Sequence, residues 1–326
     1  MRIGIVVVFM VSERNERLLD LHLRHVEENT ENPYTIYACV NGLLPQFRAR
    51  LEQDPRVKIC PCEPYPGGSA LWRSGVASTA PSQAAARESK YEHSWYLEQL
   101  IRAAIEDGVS HVAMFHVDSF PIRRGWDARL IEGLSDRCML AGITRDPQRD
   151  HKPLTACILF TREFYLRYQP RLLLSPEEMA SEAYQRYAEA YPHVSDSGFG
   201  YGFTMFKEGL SWNPLIRSNP ADVRALFASV YGDLVFHLHA AVYVERTRTV
   251  GFTVRPSQRR GLVGSGAKLA RVLLPEPVKQ KIRACLAPRL EAHCQQDDRN
   301  TWEQERRWFL DNPDSYLIYL RTGVRA

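Results

Sequence analysis

The residues best suited to chemistry stand where three apolar runs of the sequence end. Glu13 and Asn15 follow the first run, Asn41 follows the second, and Asp118 and Ser119 follow the third. Carboxylate, amide and hydroxyl oxygens accept hydrogen bonds, and a carboxylate also binds divalent cations. Asp118 is the most informative of these residues because it closes a strand-like run. It is either a turn and capping residue or a metal ligand.

The elements that position these residues follow from the alternation of β-branched runs with amphipathic segments. Strands are predicted at residues 3–9, 34–40, 57–60 and 111–117, and helices at about 12–28, 45–53 and 82–107. Gly108 is the predicted C-cap of the third helix. Strands and helices that alternate in this order predict a mostly parallel sheet with right-handed crossovers. Ligands of such a sheet bind beyond the carboxyl ends of its strands, where the polar residues stand.

Composition favours one large α/β domain with additions or two domains of ordinary size. A net charge of +4 over 326 residues gives little support to a nucleic-acid partner. The seven cysteines form no C-x-x-C pair, which fits a reducing cytosol. The apolar N-terminal run is too short to span a membrane and precedes no small-residue cleavage site, so we expect a strand there and a cytoplasmic protein.

Three stretches carry a resemblance to a known family. IGIVVVF (3–9), YTIYACVNG (34–42) and HVAMFHVDSFPIRRGW (111–126) resemble the nucleotide-sugar-binding half of GT-A glycosyltransferases, in particular the large inverting, family 2-like group. The resemblance implies an α/β, Rossmann-like GT-A fold, in which helices flank a mostly parallel sheet, with a helical C-terminal extension. It divides the chain into a nucleotide-sugar-binding half (1–145), an acceptor-binding half (146–254) and a basic lid or helical extension (255–326).

The metal site that the resemblance implies is incomplete in this sequence. The family carries Asp-x-Asp at the end of the fourth strand; Asp118 matches the first aspartate, whereas Phe120 stands at the third position. A late histidine completes the metal shell in similar proteins. His239 and His237 are the candidates, and they would share one face of a strand. The expected cofactor is Mn²⁺ or Mg²⁺, and imidazole suits Mn²⁺ better. The alternative is a pair of histidines packed under a loop.

The resemblance also implies donor contacts and a catalytic base. The residues expected to contact the nucleotide sugar are Phe9, Glu13, Asn15, Asn41, Asp118 and Ser119. Asp196, just ahead of a predicted helix at 199–208, matches the position of the base that takes the proton of the acceptor hydroxyl in inverting transfer. A retaining enzyme would not need this base, and Asp196 or Ser195 could equally be the N-cap of the helix.

The second half of the chain contains two further features with open interpretations. A capping box, Ser175 with Glu178, starts a tyrosine-rich helical stretch whose rings either pack or form a platform for sugars. Residues 255–289 hold nine basic residues and a single acid. This segment is a solvated face, a peripheral membrane contact, or a mobile lid around Arg259 and Arg260 that closes on the diphosphate.

Three functions are compatible with these patterns. The first is transfer of a sugar from a nucleoside-diphosphate sugar to a hydroxyl acceptor, which is a glycan, a lipid-linked group or a small molecule. The second is a GT-A-like protein that binds a nucleotide or glycan without turnover, since the second carboxylate is missing. The third is a nucleotidyltransferase on a similar sheet. The resemblance favours the first, an inverting glycosyltransferase assisted by a divalent cation.

Overall fold

The computed structural model describes residues 1–11, 13, 16–66, 83–144, 152–191, 198–219, 228–238 and 303–324, with the backbone alone for 83–90. The chain forms two compact units. The first comprises Met1–Ser218 and Ser229–Val242, and the second comprises Asn219–Ala228 and Tyr243–Ala326.

A seven-stranded sheet is the centre of the first unit. Its strands are β1 (Ile3–Val8), β2 (Tyr34–Cys39), β3 (Val57–Ile59), β4 (His111–His116), β6 (Cys138–Ile143), β7 (Cys157–Thr161) and β8 (Ser211–Leu215). Their order is β3-β2-β1-β4-β7-β6-β8. β7 is antiparallel to both neighbours and the other six strands run one way. All six residues of β1 are buried, as expected for a parallel strand covered on both faces.

The first unit also contains helices, several of which cover the two faces of this sheet. In chain order they are α1 (Glu16–Asn29), α2 (Pro45–Gln53), α3 (Gln83–Glu106), α4 (Trp126–Glu132), α5 (Arg162–Tyr168), α6 (Pro176–Ala180), α7 (Glu182–Ala190) and α8 (Phe199–Lys207). On one face Leu97 and Ile101 of α3 join the core cluster of Val6 and Val8. On the other face His22 of α1 packs edge-on against Phe115. Alternate residues of the central strands therefore face different helices.

A small second sheet begins in the chain shortly after the end of β4. It consists of β5 (Ser119–Pro121), β10 (Val235–Leu238) and β9 (Ala228–Tyr231), in that order. β5 pairs antiparallel with β10, so that His237 stands opposite Ser119 and Phe236 opposite Phe120. This pairing brings together two segments that are more than one hundred residues apart in the sequence.

The second unit contains two described helices, α9 (303–311) and α10 (Pro313–Thr322). They pack on each other through aromatic rings, with the centroid of Tyr316 5.0 Å from that of Trp308 and 5.7 Å from that of Phe309. Among the helices of the described residues, none combines the length and the apolar character that crossing a membrane requires.

The predicted fold class is confirmed: this is an α/β protein with a mostly parallel sheet, flanking helices and further helices at the C-terminal end. The predicted capping box is present, because Glu178 N–H donates to the Ser175 hydroxyl and Ser175 N–H donates to the Glu178 carboxylate. Gly108 follows α3 with φ of 73°, the left-handed conformation that favours glycine as a C-cap. Tyr184 and Tyr187 pack on Phe199 and Phe203, which confirms packing for these two rings.

Candidate metal and nucleotide site

The site is built at the carboxyl end of β4. This strand ends at His116, and Asp118 follows after the buried Val117. The chain turns at Val117 and Asp118, and this turn leaves the Asp118 carboxylate beside the His116 ring. His116 Nδ1 stands 3.9 Å from Asp118 Oδ1.

Strand β10 adds a second histidine to this pair. Leu238 N–H donates to the Asp118 carbonyl at 2.9 Å, which fixes the end of β10 beside the aspartate. His237 Nε2 consequently lies 3.8 Å from Asp118 Oδ1. Single ligand atoms of His116, Asp118 and His237 all fall within 4.8 Å of one another. Asp118 and His237 are buried, whereas the His116 side chain is 29% exposed and opens the cluster to solvent.

The three side chains fit a divalent cation. Two ligands about 2.1 Å from one ion stand about 3.0 Å apart at a right angle and about 3.4 Å apart at the tetrahedral angle. The two histidine-to-aspartate separations exceed these values by less than about 1 Å, and all three ligand atoms fall within 4.8 Å, so rotations of the side chains could bring them onto one ion. One carboxylate and two imidazoles form a mixed oxygen and nitrogen set, which suits Mn²⁺ and later transition metals better than Mg²⁺.

The Ser119 side chain connects three backbone segments of the site by hydrogen bonds. Its fully buried hydroxyl lies 2.5 Å from the Ala156 carbonyl and 3.0 Å from the Phe236 carbonyl. A hydroxyl carries one hydrogen, so the two carbonyls share it. Ser119 thereby links the Asp118 turn, the segment before β7 and strand β10.

Phe120 lies in the core and not in the metal shell. Its ring is fully buried, stacks on His25 at 4.5 Å between centroids, and packs on Phe236 at 5.2 Å. The turn into β5 directs Phe120 toward α1, whereas His116, two positions before Asp118, lies beside the carboxylate.

The nucleotide candidates that the structure describes occupy different environments. Asn41 follows β2 at the same sheet edge as Asp118; its side-chain amide donates to the Cys62 carbonyl at 3.0 Å. Glu13 is exposed after β1. Phe9 is fully buried, edge-on to His22 at 5.8 Å, so its ring belongs to the core.

Several expected residues lie outside the described part of the chain. These are Asn15, Asp196, His239, Arg259, Arg260 and the basic segment 255–289. Gly198 is the first described residue after Asp196. It has φ of 91°, and a Cβ atom there would stand 2.3 Å from the Pro153 carbonyl oxygen. The chain that follows Asp196 therefore passes directly against the segment before β7.

Sequence reasoning missed three residues of this site. His116 is a member of the cluster, Thr155 lies 2.9 Å from His116 Nε2, and His93 of α3 packs edge-on against the His116 ring at 4.8 Å. His116 could have been found, because it stands two residues before Asp118 at the end of the predicted strand, the same spacing that paired His237 with His239. His93 and Thr155 come from other elements and carry no local signal.

The histidine beneath the site is electrically neutral. His22 of α1 is completely buried among Phe9, Phe115 and Phe120. Burial lowers the pKa of His22 to about 4, because the charged imidazolium loses its hydration there. His22 thus adds no positive charge below the Asp118 turn that would oppose a cation.

No protein-family model matches the chain, and no curated protein matches it. Among solved structures, mouse xyloside xylosyltransferase 1 in its apo form is similar at 9% identity and a TM-score of 0.36, over 66% of this chain and 85% of that one. Mannosyltransferase PcManGT from Pyrobaculum calidifontis, in complex with GDP-Man and Mn²⁺, is similar at 11% identity and a TM-score of 0.34, over 92% and 87%. The glycosyltransferase GlyE of Streptococcus pneumoniae TIGR4 gives 12% and 0.32, over 65% and 44%. Since all these TM-scores are below 0.5, the function has to be inferred from the site itself.

Proposed function

We propose that this protein is a GT-A-type glycosyltransferase that moves a sugar from a nucleoside-diphosphate sugar to a hydroxyl acceptor. The observation that carries the proposal is the cluster of His116, Asp118 and His237 at the carboxyl end of a central parallel strand. Open α/β sheets bind nucleotides at this edge. A buried carboxylate flanked by two histidines is suited to hold a cation against a diphosphate there.

The cluster would hold the cation through one oxygen and two nitrogen donors. A divalent ion bound there would neutralise charge on the leaving diphosphate. Among the described residues of the cluster, Asp118 contributes the one negative charge, so an ion held by these three side chains would keep a net positive charge facing the phosphates. Three protein ligands also leave part of the metal shell to substrate oxygens. We infer Mn²⁺ as the working ion, with Mg²⁺ as the weaker substitute.

The nucleotide and the acceptor would lie on opposite sides of this centre. Asn41 and Glu13 stand at the ends of β2 and β1, so we assign the nucleotide to that side, together with Asn15. Asp196 follows the tyrosine-rich helices, in the region proposed to bind the acceptor. We propose Asp196 as the base that removes the proton of the acceptor hydroxyl in inverting transfer.

The functional division of the chain is also a proposal. Residues 1–145 would bind the donor, 146–254 the acceptor, and 255–326 would form a basic extension. The net excess of positive charge at 255–289 favours contact with a phosphate-bearing partner, either the diphosphate of the donor or an anionic membrane surface that presents a lipid-linked acceptor.

Release of nucleoside diphosphate from a panel of UDP-, GDP- and dTDP-sugars tests the central proposal. The wild-type chain should release diphosphate from at least one donor with Mn²⁺ and none with a chelator. Asp118→Asn should abolish the release, because it removes the only carboxylate of the cluster. Asp136→Asn, the same change at an exposed loop position, is the matched control and should behave as wild type.

Three results would contradict the proposal. Tight nucleotide binding with no turnover of any donor would favour a non-catalytic binding protein. Release of pyrophosphate instead of nucleoside diphosphate would indicate a nucleotidyltransferase. Unchanged Mn²⁺ dependence in Asp118→Asn would show that the aspartate is only a turn residue.

The assignment of Asp196 has a separate test. Asp196→Asn should bind the donor normally and should not transfer the sugar to an added acceptor, because the amide cannot take the hydroxyl proton. Normal transfer by this variant would remove Asp196 from the mechanism without affecting the metal centre.

A further inference from the structure

The segment before β7 contacts His116 of the cluster and Ser119, which follows Asp118. The hydroxyl of Thr155 lies 2.9 Å from His116 Nε2, and the carbonyl of Ala156 accepts from the Ser119 hydroxyl at 2.5 Å. Thr155 and Ala156 are each about 1% exposed. This segment is therefore a third part of the chain, besides β4 and β10, that contacts the cluster.

The contact at Nε2 bears on which nitrogen of His116 can bind a metal. A neutral imidazole carries its hydrogen on one nitrogen and presents a lone pair on the other. His116 Nδ1 faces Asp118 Oδ1 at 3.9 Å, whereas Nε2 faces Thr155. With the hydroxyl oxygen of Thr155 as acceptor, Nε2 keeps its hydrogen and Nδ1 presents the lone pair to the cluster. The Thr155 hydroxyl can donate its own hydrogen elsewhere at the same time.

We propose that Thr155 is a positioning residue that selects the Nδ1 ligand form of His116. By accepting the hydrogen of Nε2, the Thr155 hydroxyl would stabilise the tautomer whose Nδ1 lone pair faces the cluster, and the 2.9 Å contact restricts the rotation of the ring. His93, whose ring stands at 89° to the His116 ring at 4.8 Å, restricts the same rotation from α3. The inference rests on the proposed metal-dependent function and assigns Thr155 a role within it. Replacing the hydrogen-bond partner of a metal-binding histidine typically weakens metal affinity by about 10- to 100-fold.

Two substitutions separate the hydrogen bond from packing. Thr155→Val replaces the hydroxyl by a methyl group of similar size, and Thr155→Ser keeps the hydroxyl and removes the methyl group. Mn²⁺ is titrated into the full chain of each variant by calorimetry, and the melting temperature without metal is measured in parallel. We expect Thr155→Val to bind Mn²⁺ about 10- to 100-fold more weakly than wild type. Thr155→Ser should stay within about threefold of wild type, because it retains the acceptor oxygen.

Co²⁺ provides a spectroscopic measurement on the same variants. The visible absorption of bound Co²⁺ reports the geometry of its ligands, so Thr155→Val should alter the spectrum and Thr155→Ser should reproduce that of wild type. Equal Mn²⁺ affinities for wild type and Thr155→Val would overturn the proposal. Equal losses in both variants would also overturn it, since they would assign the effect to packing.

A measurement on the wild-type protein covers the case in which Thr155→Val fails to fold. Long-range ¹H–¹⁵N spectra of the metal-free protein at pH 8, assigned with His116→Gln, show which nitrogen of His116 bears the hydrogen. Hydrogen on Nε2 supports the inference and hydrogen on Nδ1 contradicts it. If wild type binds no Mn²⁺, the metal-dependent function fails, whereas the tautomer measurement still decides the role of Thr155.

Discussion

Replacing His116 by aspartate should convert the centre into an Asp-x-Asp pair and move its preference from Mn²⁺ toward Mg²⁺. An aspartate Oδ1 is as many bonds from Cβ as a histidine Nδ1, so it would occupy nearly the same place, 3.9 Å from Asp118 Oδ1. Hard Mg²⁺ binds carboxylate oxygen in preference to imidazole nitrogen. We expect the ratio of Mn²⁺ to Mg²⁺ affinity to fall at least about tenfold, which corresponds to about 1.4 kcal/mol.

The same substitution should make stability depend on the cation. Two carboxylates at this separation repel each other by about 4 kcal/mol at an effective dielectric constant near 20. Without metal, His116→Asp should therefore melt at a lower temperature than wild type. Saturating Mg²⁺ should restore most of the loss, because the cation lies between the two negative charges.

Phe120→Asp is the companion variant and should lose stability without gaining Mg²⁺ affinity. The Phe120 ring is fully buried between His25 and Phe236. Removing a buried phenylalanine costs about 3 to 5 kcal/mol, and the new carboxylate would lack hydration. Against a typical total stability of about 5 to 15 kcal/mol, we expect severe loss of folded protein and no gain in Mg²⁺ affinity.

These effects are measured by calorimetric titration with Mn²⁺ and with Mg²⁺, and by melting curves recorded in the presence of each ion. His111→Asp makes the same change at the other end of β4 and should leave the metal preference as in wild type. The reasoning is refuted if Phe120→Asp stays folded and gains Mg²⁺ affinity while His116→Asp keeps the preference of wild type. That result would make Phe120, and not His116, the partner of Asp118.

Two further predictions concern stability. Burial raises the pKa of Glu98 to about 7 from 4.5, so between these values the folded chain keeps a proton that the unfolded chain has released. Stability should fall by about 3 kcal/mol as pH rises from 4.5 to beyond 7, and urea unfolding of Glu98→Gln should lack this loss; an equal pH dependence in both proteins would contradict it. Gly198→Ala should destabilise the protein more than Gly209→Ala, because both glycines have positive φ but only Gly198 lies against backbone, at the Pro153 carbonyl. Equal shifts in melting temperature would show that the close approach at Gly198 is relieved elsewhere.

Local chemistry of the sequence determined most of the secondary structure. The predicted strand at 111–117 appears as His111–His116, and the predicted helix at 45–53 appears as Pro45–Gln53. A β-branched run or a proline at the first turn of a helix acts within a few residues, so its effect is visible in the sequence. The position of Asp118 at a strand end was predictable for the same reason.

Tertiary structure decided how the side chains around Asp118 come together, including His237, which the family resemblance had already named as a candidate. His237 reaches it through pairing between β5 and β10, and Thr155 reaches His116 through the segment before β7. Such contacts join residues far apart in the sequence, and their geometry depends on strand order and on the turn between β4 and β5. The orientation of Phe120 toward the core follows from that turn as well. The sequence by itself thus determined that a carboxylate ends a central strand, whereas the fold determined that, within the described part of the chain, two histidines cluster with it.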